Sequence, residues 1–427
     1  MTPAARLAQE VDLLLDEPLP PEAKGVPPDG PLTLRELGAR GLNVLDGDLI
    51  LPVMVLKESA LAHNIAVMAD WCAGRGVLLA PHGKTTMAPQ LYARQLEAGA
   101  WAITAATIGQ VRVMRAFGVP RVLMANELVQ PAGLRWLAAE LAADPGFEAL
   151  CLVDGLAGVA RMEEALAGAP DPARPVAVLV ELSRPGARTG ARSAETARAV
   201  ARAVGESAAL ELAGVEGYEG SIAHDRTPEA LARVRAHLRE VAELARALDG
   251  EGAFSGREEV VVSAGGSVFF DEVADALAGL ELSKPTRVVL RSGCYLTHDH
   301  AHYARLSPLG DRLRPALELW AEVISLPEDG LAILCFGKRD APYDLELPIP
   351  LAVRRRAGAL EPLEPGRLTV HDTDDQHAYV DVDGVTLEVG DLVGLGISHP
   401  CTAFDKWRLL PLVDDDYRVT GGVRTFF

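Results

Sequence analysis

Lys84 stands in a setting that suits covalent chemistry. It belongs to the segment PHGKTT at 81–86, which directly follows the apolar run at 77–80, so the lysine lies just past the predicted end of a strand. A lysine amine there can form a Schiff base with a carbonyl group if burial and neighbouring cations keep part of it neutral. The alternative for this residue taken alone is a solvated lysine in a loop.

Polar and glycine residues follow several other predicted strands. Gly265 and Gly266 precede a predicted helix that begins near Phe270, so their backbone N–H groups can hold a phosphate at the helix N-terminus, with the Ser267 hydroxyl as a further donor. Other predicted strand ends carry Arg188, Tyr218 and Tyr295. Taken alone, the glycines are also typical of a turn, the arginine of a surface position and the tyrosines of a core.

The elements that must position these residues alternate along the middle of the chain. Between about 75 and 295, short apolar runs alternate with amphipathic helical stretches, which is typical of a parallel sheet wrapped by helices. Eight repeats predict an α/β fold of the (β/α)8 TIM-barrel type, whose active site lies at the carboxyl ends of the strands; an open doubly wound sheet is the alternative. The predicted strands are 77–80, 101–105, 121–125, 149–153, 176–181, 210–215, 259–263 and 287–291, and the clearest helices are 131–143, 194–204, 228–248 and 270–277.

The two ends of the chain have different patterns. Residues 1–50 are predicted to form a short helix at 4–15 and a proline-rich extended arm at 17–35. Residues 51–310 are assigned to the barrel, except that a strand at 51–56 is predicted to pair with the C-terminal sheet. Residues 311–427 are predicted to form an antiparallel β domain. Its predicted strands are 317–326, 332–336, 367–371, 378–382 and 391–397.

Composition narrows the function class. The 427-residue chain is 49% hydrophobic with a net charge of −19, which disfavours nucleic acid and anionic membranes as partners. Its five cysteines form no CxxC pair, which favours a reducing compartment over a disulfide framework. No apolar run has the length of a membrane span, and the N-terminus lacks the apolar segment of a signal peptide. We therefore predict a cytoplasmic protein that acts on a small molecule.

Four motifs together resemble a known family. PHGKTT, ARTG at 187–190, SAGGS at 263–267 and HPC at 399–401 are similar to motifs of the fold-type III (alanine-racemase-like) pyridoxal-phosphate enzymes, specifically the D-serine dehydratase and D-threonine aldolase branch. The resemblance covers about residues 45–427 and implies pyridoxal 5'-phosphate as the cofactor, bound through Lys84. It implies that Arg188 lies against the pyridine nitrogen. An arginine cannot give up its proton, so the pyridine nitrogen stays unprotonated and the cofactor withdraws electrons less strongly. Another group must then stabilise the leaving group. The other residues implied at the cofactor are His82, Tyr218, Gly265, Gly266, Ser267 and Tyr295.

The resemblance also implies a metal. His399 and Cys401 are similar to a His-x-Cys pair that holds zinc in the D-serine dehydratase branch, and imidazole and thiolate are good ligands for Zn²⁺, although another divalent metal is possible. His377 matches a family histidine that follows acidic residues and binds or orients substrate; a loop histidine on a hairpin is the alternative. The run HDHAH at 298–302 has the residue types of a separate metal site, but the family pattern places only Tyr295 and Asp299 there.

These resemblances imply a homodimeric lyase. We expect a zinc-dependent dehydratase that converts β-hydroxy D-amino acids, such as D-serine or D-threonine, to a 2-oxo acid and ammonia, with Lys84, Tyr218 and His377 as the catalytic candidates. The alternative enzyme is a D-threonine aldolase, in which the same residues support cleavage to glycine and an aldehyde. The non-enzyme alternative is a pyridoxal-phosphate carrier, which the extra β domain with His399 and Cys401 disfavours.

Overall fold

The chain folds into two compact units. The structure, a computed structural model, describes residues 3–27, 32–167, 174–356 and 358–427; Pro28 and Pro31 of the predicted arm lie outside these residues. The barrel unit consists of residues 3–7, Met68–Lys84 and Gln95–Gly293. The β unit consists of Ala8–Val67, Thr85–Arg94 and Cys294–Phe427.

The elements have the following bounds. The helices are α1 (Pro3–Leu15), α2 (Leu34–Ala39), α3 (Glu58–Arg75), α4 (Pro89–Glu97), α5 (Ile108–Ala116), α6 (Pro131–Ala143), α7 (Leu156–Leu166), α8 (Ala194–Glu206), α9 (Pro228–Gly250), α10 (Phe270–Leu277) and α11 (His302–Leu306). The strands are β1 (Val53–Lys57), β2 (Leu78–Leu79), β3 (Ile103–Ala105), β4 (Arg121–Glu127), β5 (Glu148–Val153), β6 (Val176–Leu182), β7 (Leu210–Gly217), β8 (Val260–Ala264), β9 (Thr286–Leu290), β10 (Leu317–Glu328), β11 (Leu331–Leu334), β12 (Ile349–Arg354), β13 (Leu360–Pro362), β14 (Leu368–Thr373), β15 (Ala378–Val382), β16 (Leu392–Gly396), β17 (Leu409–Val413) and β18 (Val419–Arg424). Among the described helices, none is both long and apolar enough to span a membrane.

Strands β2–β9 form a closed parallel barrel. Their order is β2-β9-β8-β7-β6-β5-β4-β3. The two end strands of this order are joined because the Trp101 N–H donates to the Leu79 carbonyl at 2.7 Å and the Thr104 N–H donates to the Pro81 carbonyl at 2.9 Å. The predicted barrel is confirmed, and the open-sheet alternative is wrong.

The barrel interior explains why the strands are apolar runs. Parallel strands are buried on both faces, so both the inward and the outward side chains must be apolar. Each strand or its flanking residue contributes a small or branched side chain to one interior cluster. The members of that cluster are Ala80, Ala102, Leu123, Leu150, Leu152, Leu179, Ala213, Val261 and Val289. Polar residues are thereby left to the strand ends.

Capping residues fix where the barrel helices begin. The Ser193 hydroxyl accepts a hydrogen bond from the Thr196 N–H at 3.1 Å, and the Thr227 hydroxyl accepts one from the Ala230 N–H at 3.3 Å. A side-chain oxygen at this position satisfies a backbone N–H that has no partner inside the helix. These two caps end the loops that follow β6 and β7, which carry Arg188 and Tyr218.

The β unit is built on one sheet. Its main order is β13-β12-β16-β10-β1-β17-β18, and the long strand β10 also pairs with β11, which leads to β15 and β14. Strand β1 is antiparallel to β10, with Val53 opposite Trp320, and parallel to β17. Trp320 is fully buried in a cluster that also contains Val53 and Val55.

Four strands of this unit were not predicted. Proline interrupts two of them, at Pro350 in β12 and Pro411 in β17, and β18 contains Gly421 and Gly422. Proline cannot donate to a sheet ladder and glycine weakens a strand, so neither pattern indicates a strand from sequence. The fourth, β13, is only three residues long.

Candidate functional site

Polar residues surround the carboxyl-terminal end of the barrel, which we call the barrel mouth. Each of the eight strands supplies one of them, within its last two residues or in the three residues that follow it, while apolar residues fill the interior below. In barrels of this kind the strand carboxyl ends carry the chemistry. The eight residues are His82, Thr104, Glu127, Asp154, Glu181, Glu216, Ser263 and Arg291.

Arg291 is the buried cation of the barrel mouth. Its side chain is 5% exposed and pairs with the carboxylate of Glu216, which is 1% exposed. A second guanidinium nitrogen donates to the Ser263 hydroxyl at 2.7 Å. Burial raises the pKa of Glu216 to about 7 even though the charge of Arg291 opposes the shift. Sequence reasoning missed both residues, although an arginine directly after an apolar strand was a usable signal.

Three further carboxylates converge on the other side of the mouth. Glu127, Asp154 and Glu181, which we call the acidic triad, each offer an oxygen within 4.8 Å of the others. Burial and the adjacent Glu181 raise the pKa of Glu127 to about 8. Burial and the charge of Glu216 raise the pKa of Glu181 to about 7. The triad was also missed from sequence, because its members are far apart in the chain.

Lys84 and His82 follow strand β2. Lys84 lies in a short 3-10 turn, Gly83–Thr85, and its side chain is exposed. His82 is half-buried, and burial together with the charges of Lys84, Arg291 and Arg188 holds its pKa well below the usual value. His82 is therefore neutral at physiological pH, and the cations around it give this side of the mouth a positive potential that suits an anion.

Arg188 lies against Tyr218. The guanidinium carbon is 4.9 Å from the centre of the tyrosine ring, a cation–π contact. The loop that carries Arg188 is held by Arg192, which donates to the carbonyls of Ala187, Arg188 and Thr189. The structure thus brings together two of the residues predicted at a cofactor.

Gly265 and Gly266 form the predicted anion cradle, and a carboxylate occupies it. Both backbone N–H groups donate to Glu219, at 3.0 Å from Gly265, and the Glu219 side chain is fully buried. Gly265 has φ +93°, and a Cβ on Gly266 would lie 3.0 Å from the Tyr218 ring, so both positions favour glycine. A phosphate on these N–H groups must replace the Glu219 carboxylate. Ser267 follows the cradle and is half-buried.

A second group of reactive side chains lies in the β unit. We call it the His–Cys cluster: His399, Cys401, Asp344, Cys294 and Thr85. His399 Nδ1 contacts Asp344 Oδ2 at 2.6 Å, which leaves Nε2 as the ring nitrogen for a ligand. Cys401 Sγ lies 3.2 Å from the Thr85 hydroxyl and 3.6 Å from the sulfur of Cys294, and neither cysteine forms a disulfide.

The charges of this cluster compensate one another. The Cys401 thiol raises the pKa of His399 to about 9, with Asp344 contributing in the same direction. Hydrogen bonds from Cys294, His399 and Thr85 hold the pKa of Cys401 well below its usual value, although burial opposes them. A thiolate and an imidazole are the species that bind a transition metal. Sequence reasoning found His399 and Cys401 but missed Asp344, Cys294 and Thr85.

The remaining predicted residues also lie in the β unit. Tyr295 is 1% exposed, and His377 is exposed in the hairpin between β14 and β15. Asp299 accepts the backbone N–H groups of Ala301, Tyr303 and Ala304 at the start of α11. Among the described residues, the ligand atoms of the three histidines at 298–302 do not form a group within 4.8 Å of one another.

The fold defines the class of protein. A (β/α)8 barrel followed by an antiparallel β domain is the alanine-racemase-like architecture, and the chain overlays on solved structures of that class over most of its length. A crystal structure of D-threonine aldolase from Filomicrobium marinum matches with a TM-score of 0.75 and 24% identity, covering 90% of this chain and 97% of the other. D-threo-3-hydroxyaspartate dehydratase from Delftia sp. HT23 matches with a TM-score of 0.68 and 23% identity, covering 90% and 99%.

Sequence comparisons indicate the same group. Residues 316–413 match the family described as "Putative serine dehydratase domain". D-threonine aldolase from Arthrobacter sp. is 26% identical over 367 residues, which is 85% of this chain and 89% of that protein. The resemblance predicted from the motifs is confirmed: residues 316–413 match the serine dehydratase domain family, and the chain has an alanine-racemase-like fold.

Proposed function

We propose that this protein is a pyridoxal-phosphate- and zinc-dependent lyase that eliminates water from β-hydroxy D-amino acids such as D-serine or D-threonine, giving a 2-oxo acid and ammonia. The observation that carries the proposal is the His–Cys cluster, in which Asp344 orients His399 beside Cys401. Such a pair binds a Lewis acid that can stabilise a departing hydroxide. The same chain presents Lys84 at a barrel mouth.

The barrel mouth has donors that fit pyridoxal phosphate. The Gly265 and Gly266 N–H groups already hold an anionic group, so they can hold a phosphate in its place. Arg188 offers a guanidinium for the ring nitrogen, and the exposed amine of Lys84 is free to react with the aldehyde. Tyr218 contacts Arg188, and we propose that it lies beside the cofactor ring. When bound, the cofactor withdraws electrons from the α-carbon of an amino acid.

The His–Cys cluster has the donors that fit zinc. One imidazole and one thiolate are two ligands of the usual catalytic set, and water or substrate oxygen completes the four-coordinate shell. Asp344 bonds to Nδ1 of His399, and such a bond fixes the orientation of a ligating histidine. One solved form of D-threo-3-hydroxyaspartate dehydratase with a cysteine replaced by alanine is described as metal-free, which supports a cysteine ligand in this group.

The residues of this chain then have distinct roles. Lys84 accepts the α-proton of the substrate on its amine. His399 and Cys401 would hold the metal, which would supply a Lewis acid for the β-hydroxyl, and we propose that His377 and Tyr295 bind or orient substrate and cofactor. His82 is a poor acceptor for that proton because burial and the neighbouring cations hold its pKa well below the usual value. By resemblance we also propose a homodimer, and by composition a cytoplasmic location.

A second candidate activity is retro-aldol cleavage. Two similar proteins, one of them a solved structure, are named D-threonine aldolase. Cleavage uses the same residues, but the β-hydroxyl loses its proton and the Cα–Cβ bond breaks to give glycine and an aldehyde. The two activities differ in products, so product identification separates them. The carrier alternative predicts bound cofactor without turnover.

The test is incubation of the purified protein with D-serine, D-threonine and D-threo-3-hydroxyaspartate, with and without a chelator. We expect pyruvate, 2-oxobutyrate or oxaloacetate together with ammonia, and loss of activity with the chelator that zinc restores. Glycine with acetaldehyde from D-threonine would establish the aldolase instead. Activity that no chelator affects would refute the metal-dependent proposal.

A further inference from the structure

The acidic triad has the geometry of a cation site separate from the His–Cys cluster. Glu127 ends β4, Asp154 follows β5, and Glu181 lies near the end of β6, so three neighbouring strands aim carboxylates at one point. Their oxygens lie within 4.8 Å of one another. Oxygens bound to one Ca²⁺ at 2.3–2.6 Å can be at most about 5.2 Å apart, so the three carboxylates are close enough to share one divalent cation.

Hydrogen bonds from the protein hold two of the carboxylates, each through one of its oxygens. The Thr189 hydroxyl donates to Glu181 Oε1 at 3.1 Å. The Gly190 N–H donates to Asp154 Oδ2, also at 3.1 Å. Both donors belong to the loop after β6. Such bonds fix ligating carboxylates in metal sites.

Buried oxygens without donors independently indicate a missing ligand. Glu181 is 2% exposed, and no donor group of the protein reaches its buried Oε2 or the buried Oε1 of Glu127; the two carboxyl groups contact each other instead. Glu216, 1% exposed on the neighbouring strand, also has an unpartnered Oε2, and its charge acts on Glu181. Buried polar groups are normally satisfied, and a buried carboxylate without a partner is costly.

The protein's own cations compensate this charge only in part. The charge of Arg291 acts on Glu181, but Arg291 is already paired with Glu216 and bonded to Ser263. Glu127 and Asp154 are only partly buried, so an ion can reach the triad from solvent.

We propose that Glu127, Asp154 and Glu181 bind a divalent cation that prefers oxygen ligands, such as Ca²⁺, with water completing the shell. Ca²⁺ takes carboxylate and water oxygens, whereas the imidazole and thiolate of the His–Cys cluster select zinc. The two sites therefore take different metals. The ion neutralises the triad and stabilises the barrel mouth. This inference does not depend on the proposed activity.

The experiment is calorimetric titration of Ca²⁺ into the purified, zinc-loaded full-length protein, with its cofactor bound. We expect one Ca²⁺ per chain and a rise in the melting temperature with Ca²⁺ concentration. Asp154→Asn and Glu127→Gln are each expected to weaken Ca²⁺ binding by about tenfold or more. Thr189→Val removes only the hydroxyl that donates to Glu181, and it is expected to weaken Ca²⁺ binding by about tenfold.

Two controls make the test specific. Glu148→Gln removes a carboxylate at the opposite end of β5 that pairs with Arg121, and should leave Ca²⁺ binding unchanged. His399→Ala should also leave it unchanged, which separates this site from the proposed zinc site. Absence of Ca²⁺ binding to the parent protein would overturn the proposal and leave a shared proton as the means of neutralising the triad. Binding that Asp154→Asn and Thr189→Val both leave intact would overturn it too.

Discussion

The barrel mouth and the His–Cys cluster handle buried charge in opposite ways. In the barrel mouth, burial raises the pKa of Glu127, Glu181 and Glu216, and the charges of neighbouring acidic groups add to this effect. In the His–Cys cluster, His399 and Cys401 shift each other toward their charged forms. The first region therefore favours uptake of protons or a cation, and the second favours a metal that exchanges for the imidazole proton.

The largest effect that separates the two regions is expected at the metal ligands. His399→Ala or Cys401→Ser should release the metal and lower turnover by about a thousandfold, because a metal supplies several kcal/mol of transition-state stabilisation. Metal analysis and steady-state kinetics measure this. Cys335→Ser, a thiol of the same unit that accepts a hydrogen bond from the Glu322 N–H at 3.2 Å, is the matched control. A Cys401→Ser variant that keeps zinc and turnover would contradict the ligand assignment.

Replacing Asp344, which orients His399, should have a smaller effect than replacing His399 itself. Asp344→Asn weakens the bond that orients His399, so zinc affinity should fall by about 10- to 100-fold while the fold is retained. Competition with a chromophoric chelator measures the affinity. Asp381→Asn is the control, because Asp381 contacts His371 at 3.0 Å in an exposed pair of the same unit. Equal effects of the two variants would remove Asp344 from the metal site.

The anion cradle of the barrel can be closed by one methyl group. Gly266→Ala places a Cβ about 3.0 Å from the Tyr218 ring, so the cradle must shift and cofactor affinity should fall about tenfold. Gly279→Ala is the control, because a Cβ there has no neighbour within 4 Å. Quenching of protein fluorescence by added pyridoxal phosphate gives both affinities. Unchanged affinity in Gly266→Ala would place the phosphate elsewhere.

The sequence predicts the barrel and part of the candidate site, but not all of the residues that form it. The barrel followed from eight apolar runs, and α6 and α10 were predicted to the residue, because parallel strands and amphipathic helices leave strong local patterns. His399 and Cys401 were predicted because they belong to one short motif, and the structure places both in the His–Cys cluster. The acidic triad and Glu216 were missed because these residues are far apart in the chain, whereas Arg291 had a usable signal in its position directly after an apolar strand. The occupation of the glycine cradle by Glu219 likewise has no signal in the sequence.

The smallest expected effect is a pH dependence of stability in the barrel. Glu127 and Glu181 have folded-state pKa values of about 8 and about 7, above the ordinary value of 4.5, so the folded protein binds more protons than the unfolded chain between these limits. The free energy of unfolding should therefore fall as pH rises from about 5 to about 8. Glu127→Gln should flatten this slope, and Glu148→Gln should not. Denaturant unfolding of the metal-free protein across this range measures it, and identical slopes in parent and Glu127→Gln would refute the assignment.

The central claim is that Lys84 holds the cofactor, and six lysines in the chain make it directly testable. Borohydride reduction fixes a carbonyl cofactor on the lysine that binds it, and peptide mass spectrometry then locates it. We expect a phosphopyridoxyl mass on the peptide that contains Lys84, with none on Lys24, Lys57, Lys284, Lys338 or Lys406. A Lys84→Ala variant should lose both the label and turnover, whereas Lys284→Ala should keep both. Label on another lysine, or full activity in Lys84→Ala, would contradict the account.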